Sequence, residues 1–398
     1  MSGTKKCKLS ELITIQNGYA FASKKFTGEG GMPLIRIRDL KNGTATQTNY
    51  SGDFDEAYLV NSGDLLIGMD GEFRCYEWKG SPALLNQRVC RIQNTSDAFD
   101  LKYLYYGINS YLKAIEDVTG YTTVKHLSSS TILNIEFPLP SLEKQREIVE
   151  KLNGAFTEID LLEQNLGSRT TSVENLQAAL LSSFFDLNEY EAPSADYSFN
   201  SLGSVSSVKG GKRLPKGTKW SPIPTSYPYI RVTDMKNGRI NEDKLVFVPD
   251  EIRPSIKNYT VNTGDLIISI AGTIGEIAVV PDSLDKASLT ENAARIILQK
   301  DKLDPEYCSY FLRSPVCRRE IDSLIRTTTQ PKLALFRIES LRIPVPSLKK
   351  QGEIVKRLDS AFAEIETLRA QISREKAYAS SLRQSLLSSA FTQEEAVA

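Results

Sequence analysis

Pro138-Leu139-Pro140-Ser141-Leu142-Glu143-Lys144-Gln145-Arg146-Glu147-Ile148-Val149 returns 206 positions later as Pro344-Val345-Pro346-Ser347-Leu348-Lys349-Lys350-Gln351-Gly352-Glu353-Ile354-Val355. The offset holds without gaps to Leu180-Leu181-Ser182-Ser183 against Leu386-Leu387-Ser388-Ser389, with about 20 identities in roughly 50 positions, more than chance supplies. Each copy reads as the start of a long helix. Pro140 and Pro346 end an extended stretch, and Ser141 and Ser347 are good N-caps. Lys144 and Lys350 stand where a capping box would want Glu or Gln, while Glu147 and Glu353 suit the positive end of the helix dipole.

Downstream of each cap the apolar residues recur every seven positions. Leu152, Ile159, Leu166, Val173 and Leu180 form the first series, with Ala155, Leu162 and Leu176 as companions; Leu358, Ile365, Ile372, Ala379 and Leu386 form the second, with Ala361, Leu368 and Leu382. That is a coiled-coil seam of about five heptads, roughly 65 Å of helix. Gly167 and Thr170-Thr171 weaken the first helix at its middle, where a local kink is expected. Two seams of equal length and period pair most economically with each other inside one chain, and antiparallel pairing gives the molecule an approximate two-fold axis.

Working upstream, the copies diverge. Pro33-Leu34-Ile35-Arg36-Ile37-Arg38-Asp39-Leu40-Lys41-Asn42-Gly43 matches Pro228-Tyr229-Ile230-Arg231-Val232-Thr233-Asp234-Met235-Lys236-Asn237-Gly238, and Val60-Asn61-Ser62-Gly63-Asp64-Leu65 matches Val261-Asn262-Thr263-Gly264-Asp265-Leu266. Asn86-Gln87-Arg88 falls where Glu291-Asn292-Ala293 falls. Short apolar runs between Gly, Asn and Asp predict strands at 35–37, 64–68, 88–92, 229–232, 266–270 and 294–298. Aromatic spacing predicts helices over 101–109 and 305–312, the second extended by 316–325. The expected architecture is therefore α+β: two β-rich mixed globular domains at opposite ends of a long antiparallel two-helix coiled coil, with internal pseudo-two-fold symmetry. The expected divisions are a first globular domain at 1–139, its helix at 140–191, a second domain at 192–345, its helix at 346–391, and a disordered tail at 392–398.

The 398 residues, 40% hydrophobic and 25% charged, fit two or three ordinary globular domains and exclude disordered and fibrous classes. Net charge is zero overall, but the segments differ. Residues 193–345 hold 22 basic and 17 acidic side chains, a net +5, whereas residues 141–191 hold 4 and 10, a net −6. Basic surface thus gathers where a polyanion can be read, and acidic surface where a helix can meet protein, with Glu150, Glu158 and Glu163 as the outward candidates. The five cysteines form no C-x-x-C pair and read as free thiols. No apolar run reaches about 18 residues, so a cytoplasmic protein is expected.

Candidate contact residues for nucleic acid follow from type and position. Arg36, Arg38, Arg231 and Arg88 lie beside strands, where a guanidinium suits guanine or phosphate; a salt bridge to Asp39 or Asp234 that holds the turn is the equal alternative. The segment Lys209 to Trp220 carries Lys209, Lys212, Arg213, Lys216 and Lys219 among glycines, a composition fit for a DNA-contacting loop. Its first-domain counterpart offers Tyr19, Lys24 and Lys25, with Phe21 as core or contact. Asp70, Phe73 and Arg74 lie in one loop, and Thr273 in its equivalent; Gln87 and Asn292 offer amides. The polar loops containing Thr122, Thr123, Lys125 and His126, and Arg326, Thr328, Gln330 and Lys332, add hydroxyls, amides and charge. The loops of Asp70 and Thr273 read equally as drifting surface turns, and for the others a solvated surface loop is the alternative to contact.

P-x-P-S-L-x-K-Q followed by E-I-V, present twice and each time leading a long helix after a divergent β-rich domain, resembles the specificity subunit of Type I restriction-modification enzymes over nearly the whole chain. The resemblance implies one target-recognition domain per half of a split double-stranded DNA sequence, with the helices as ruler and docking surface. It implies two methyltransferase subunits and restriction/translocase subunits as partners, and places S-adenosylmethionine, ATP and magnesium on them, with no cofactor, metal or catalytic residue in this chain. Consistent with that, the sequence holds no Walker-type phosphate loop, no Asn/Asp-Pro-Pro-Tyr/Phe, and only one histidine, His126. Two other readings stand beside it: a metal-dependent nuclease built on Asp64 or Asp70 with Glu77-Trp78-Lys79, and a protein scaffold that binds no DNA.

Overall fold

The short apolar runs of each globular region form an antiparallel sheet whose inner strands Leu65–Gly68 and Leu266–Ser269 are buried at every position. In the computed structural model, which describes residues 5–119, 125–185, 197–325 and 331–396, the strand order is Ile13–Asn17, Val89–Asn94, Leu65–Gly68, Cys75–Glu77. The second region repeats it as Ser206–Gly210, Ala293–Leu298, Leu266–Ser269, Ile277–Val279. In each, a two-stranded ribbon joins entry to exit: Lys5–Lys8 pairs with Glu136–Leu139, and Tyr197–Ser201 with Arg342–Pro346. A second sheet of short strands, five in the first region and three in the second, contains one parallel pair in each, with Leu34 opposite Leu84 and Tyr229 opposite Ser288.

Arg36-Ile37 and Arg231-Val232, expected as strand, leave it. The strands end at Ile35 and Ile230. The Asp39 carboxylate accepts the Arg36 backbone N–H at 2.9 Å, and that of Asp234 the Arg231 N–H at 2.8 Å, so a helical turn starts instead. The helix expected over 101–109 runs Leu101–Val118 behind its N-cap Asp100. The Pro305–Leu312 helix stops before Ser314, which caps a separate helix, Pro315–Leu324, because Pro315 disfavours helical backbone in the residue before it.

The first long helix runs Leu142–Phe184 and the second Leu348–Ala396. Ser141 Oγ and Ser347 Oγ accept the N–H of Lys144 and Lys350, each at 3.3 Å. Helix covers residues 392–396, where a disordered tail was expected, because that stretch contains no glycine or proline. The first helix continues through Gly167, whose carbonyl accepts the Thr171 hydroxyl at 3.4 Å. Two units are distinguishable, residues 1–166 with 374–398 and residues 167–373, so the divisions fall inside the long helices.

Within the second unit, Arg369 binds Gln177 and Arg357 lies over the Phe184 ring, so contacts advance along one helix as they retreat along the other; the pairing is antiparallel. Within the first, Arg383 binds Asp160 and lies over Phe156. Leu152, Ile159, Leu166, Val173, Leu358, Ile365, Ile372 and Ala379 are buried. Leu180 and Leu386 are half-buried, and Leu181, one residue on, is buried in Leu180's place, as expected when a 3.6-residue helix drifts against a 3.5-residue repeat. The companions Leu162, Leu176 and Leu368 are exposed.

Gln145 and Gln351 explain the Gln of the repeated motif. Both are fully buried at the start of a long helix. The Gln145 amide donates to the carbonyls of Ala98 and Pro140 at 3.0 and 2.9 Å and accepts the Asp100 N–H at 2.9 Å. Gln351 does the same with Lys302, Pro346 and Asp304, each at 2.8 Å. One side chain thus satisfies three backbone groups and locks the long helix to the cap of its domain's own helix.

The far end of each long helix supplies an aromatic ring to a core. In the first unit Phe391 packs 5.1 Å from Tyr103 and 6.0 Å from Phe137, in space left by Gly107, where a Cβ would stand 2.5 Å from the Phe391 ring. In the second, Phe185 packs 5.6 Å from Tyr307 and 5.5 Å from Phe311. The first domain's core is therefore completed by the last helix, and the second domain's core by the helix that precedes it. The five cysteines are free and buried, and burial pushes the Cys90 thiol up to about 12. No helix among the described residues is long and apolar enough to cross a membrane.

Candidate nucleic-acid interface

Antiparallel register brings three chain segments to one end of each four-stranded sheet. In the first domain Asn17 lies opposite Cys90, and Val89 opposite Gly68; in the second, Gly210 lies opposite Ala294, and Ala293 opposite Ser269. At that end the chain makes the same hydrogen bonds twice. Gly18 N–H donates to Val89 and Tyr19 N–H to Leu85, as Gly211 does to Ala293 and Lys212 to Leu289. Met69 N–H donates to Arg88 and Leu127 N–H to Met69, as Ile270 does to Asn292 and Leu333 to Ile270. A Cβ on Gly18 or Gly211 would stand 2.0 Å from the carbonyl oxygen of Asn86 or Thr290, so only glycine permits this approach.

These bonds fix which residues correspond, and they correct the sequence alignment by one position. Asn86-Gln87-Arg88 matches Thr290-Glu291-Asn292, not Glu291-Asn292-Ala293. Bridges between Asp70 and His126 and between Ala271 and Lys332 complete the match. Arg88 thus corresponds to Asn292, Asp70 to Ala271, His126 to Lys332, and Tyr19 to Lys212.

On the first domain's rim, Asp70 is the hub. Its carboxylate receives Arg88 Nη1 at 2.9 Å and His126 Nδ1 at 2.7 Å and is largely shielded, while the Arg88 and His126 side chains are exposed. Arg88 holds φ +70°, a left-handed backbone that non-glycine residues rarely adopt. Beside it lies a shallow depression of about 420 Å³ lined by Arg36, Ile37, Arg38, Asn86, Gln87 and Arg88. Arg36 lies 6.0 Å over the Phe26 ring, and Arg38 Nη2 donates to Thr48 at 2.9 Å. Tyr19, half exposed, stacks edge-on to Phe21 at 5.1 Å, and Phe21 itself is core. Lys24, Lys25 and Gln87 are exposed, and Arg74 pairs with Glu72 at 3.3 Å. Lys125 Nζ donates to the Glu116 carbonyl at 2.5 Å.

Phe73, expected as a contact, is not one. It is 2% exposed and belongs to the first domain's core, because its backbone N–H is tied to Glu116 and the ring turns inward. Thr122, Thr123, Arg326, Thr328 and Gln330 lie outside the described residues.

The second rim is more basic. A depression of about 580 Å³ is lined by Lys212, Arg213, Glu291 and Lys332 over an apolar floor that includes Ile270 and Leu335. Arg213 Nε binds Glu291 at 2.5 Å. Burial raises the Glu291 carboxyl, but the Arg213 guanidinium, a backbone N–H and the Thr290 hydroxyl together bring it below the usual range. Lys212 lies 5.6 Å over the Tyr259 ring, and Trp220, 40% exposed, stacks 5.0 Å from Tyr229. Lys209, Lys216, Lys219 and Lys332 are exposed, as is Thr273; Asn292 is half-buried. Arg231 follows the salt-bridge alternative: it holds Asp234 at 2.7 and 3.0 Å, and that bond pushes its pKa up.

The sequence reading missed Phe336. It is 65% exposed, four residues after Lys332, on the short helix Leu335–Glu339. A lone aromatic in a five-residue helix carries no periodic signal. The nuclease constellation does not form: Asp64 is bound to Arg91 at 3.0 Å, Asp70 to Arg88 and His126, and Glu77 faces Lys102 at 3.8 Å. Among the described residues no three His, Cys, Asp or Glu side chains gather as metal ligands.

Comparison with known proteins agrees with this geometry. The Type I restriction modification DNA specificity domain family matches residues 1–167 and 195–375. The EcoBI specificity subunit of Escherichia coli is 30% identical over 97% of this chain and 85% of its own length. The MjaVIII specificity subunit of Methanocaldococcus jannaschii is 22% identical over 86% and 82%. A chain from a solved structure concerned with complex assembly and conformational transition of the type I R-M system shares the fold, with TM-score 0.69, 19% identity and 98% of each chain covered. A duplicated scaffold with unlike rims, matched by one family in both halves, is what the sequence repeat foretold: the chain belongs to the Type I restriction-modification DNA specificity family.

Proposed function

We propose that each domain reads one half of a split double-stranded DNA target through the rim at the end of its four-stranded sheet, while the paired long helices set the separation and dock two methyltransferase subunits. The observation that carries this is the rim itself: identical hydrogen bonds at Gly18 and Gly211 support Asp70, Arg88 and His126 in one domain and Ala271, Asn292 and Lys332 in the other. A constant frame with variable chemistry is what two unlike recognition elements require. In the first unit the exposed Leu161, Leu162 and Tyr378, and in the second Leu176 and Leu368, give the helices apolar surface for a protein partner.

In this reading the chain is non-catalytic, and S-adenosylmethionine, ATP and magnesium belong to the methyltransferase and the restriction/translocase subunits. The test is selection from random duplex pools by this chain assembled with its methyltransferase subunits. A split motif should be enriched, with affinity falling steeply as salt rises. Replacing residues 193–345 with the corresponding domain of another family member should change one half of the motif, and lengthening both helices should change the gap alone. No enrichment at any salt concentration overturns the proposal.

A further inference from the structure

Each rim turns on a four-residue loop closed by one backbone bond, Val89 N–H to the Asn86 carbonyl and Ala293 N–H to that of Thr290, both 3.2 Å. The third residue of the first loop is Arg88 and of the second Asn292. Resting on the DNA-reading role proposed above, we propose that this third position is the base-reading residue of each domain, Arg88 selecting guanine and Asn292 selecting adenine.

Arg88 is built for orientation more than for charge. A phosphate contact needs a cation in roughly the right place, and a carboxylate beside it works against the attraction. Here Asp70 sits 2.9 Å from Nη1 and cancels much of the charge, yet it holds the plane of the guanidinium. Asp70 is held in turn by His126 Nδ1 at 2.7 Å, so the fork is positioned by a supported partner while the rest of the Arg88 side chain projects into solvent. A fixed planar fork with N–H groups to spare is complementary to the two major-groove acceptors of guanine, O6 and N7.

The backbone points the same way. A left-handed φ at a non-glycine residue is strained and persists where the surroundings impose it. Glycine or asparagine would occupy φ +70° with less strain, yet arginine stands there. In the second domain asparagine, which tolerates such a backbone, stands at a position without positive φ. Relief of strain therefore explains neither choice, whereas base chemistry explains both. The Asn292 side-chain amide makes no hydrogen bond among the described residues, and its donor and acceptor match N6 and N7 of adenine. Its neutral amide is a weaker phosphate partner than Lys332 and Lys212, the cations of the same rim, which leaves it suited to a base edge. Asp70 is then a positioning residue that acts through Arg88.

The chain assembled with its methyltransferase subunits should be tested on its selected motif with guanines or adenines replaced singly by their 7-deaza forms, which lack N7. Arg88→Gly is the informative variant, since glycine suits the backbone and the fold is retained. Replacement of one guanine in one half should weaken wild-type binding about tenfold or more, and the Arg88→Gly complex should be indifferent to it. Asp70→Ala should keep most affinity at low salt but shrink the same guanine-to-deazaguanine ratio, a change that a merely structural role does not produce. Asn292→Ala should abolish the response to one 7-deazaadenine in the other half. Failure to select any motif counts against the DNA-reading role itself. A recovered motif on which wild type and Arg88→Gly respond alike to every replaced guanine, or a motif half without guanine, overturns this assignment alone.

Discussion

The two domains share a frame to within a hydrogen bond and differ in the side chains that frame carries at its rim. Gln145 and Gln351 make the same three bonds, Gly18 and Gly211 the same forbidden approach, and Phe391 and Phe185 the same aromatic plug. By contrast Tyr19 becomes Lys212, Gln87 becomes Glu291, and the Asp70 hub becomes Ala271. The repeated residues satisfy buried backbone and fill core; the diverged ones face solvent and hold one another. Sequence freedom follows the cost of burial, because a buried glutamine cannot change without leaving peptide groups unpaired, while a rim side chain can.

The comparison can be broken most severely at the plugs. Phe391→Ala and Phe185→Ala should each destabilise by about 3–5 kcal/mol. Denaturant unfolding followed by hydrogen exchange should show the amides around Tyr103 opening first in one variant and those around Tyr307 in the other; both sets opening equally would mean that the units do not close independently. Next come Gln145→Leu and Gln351→Leu, each expected to lower stability by about 2–3 kcal/mol through three orphaned backbone groups. Unequal losses in chemical denaturation would show that the shared geometry conceals unequal strain.

A smaller effect separates the two capped turns. The Asp234 carboxylate holds the Arg231 guanidinium as well as the backbone N–H, whereas among the described residues the Asp39 carboxylate accepts the Arg36 N–H alone. Asp234→Ala should therefore exceed Asp39→Ala by about 1 kcal/mol in thermal unfolding. Smallest is the titration of Glu291, which Gln87 lacks. Its folded pKa is depressed, so its contribution is present above the ordinary glutamate pKa and is lost as pH falls through the depressed value. With Arg213 largely exposed, the Tm gap between wild type and Glu291→Gln should stay within about 1 kcal/mol equivalent at pH 7 and vanish in acid. A gap that grows on acidification would contradict the ion pair.

Periodicity and caps make the helices legible in the sequence alone: Ser141, Ser347 and the residues from Leu152 to Ile372 carry signals that repeat along one chain segment. The Gln of the repeated motif was visible as a letter but not as a function, because its partners lie far away in sequence, at Ala98 and Lys302. The rim was harder for the same reason. Only long-range hydrogen bonds establish that Arg88 corresponds to Asn292; the sequence match sets it against Ala293, one residue off. Phe73 misled because exposure is not encoded in residue type within a short loop. The basic run from Lys209 to Trp220 was conspicuous, yet Lys212, Arg213 and Trp220 turn out to be engaged with Tyr259, Glu291 and Tyr229. Arg36 and Arg231 look alike in sequence but differ in their partners, which depend on side-chain reach around each turn.

Phe391 also sets a schedule for the chain's manufacture. The first domain to leave the ribosome lacks a ring of its own core until the last stretch of the second long helix has been translated. At roughly 5–20 residues per second, that interval lasts tens of seconds. During it the pocket among Tyr103, Gly107 and Phe137 stands open, and only a chain translated to its far helix can seal it. An interrupted product would keep an unfinished N-terminal domain, exposed to proteolysis before it could compete with intact subunits for their partners.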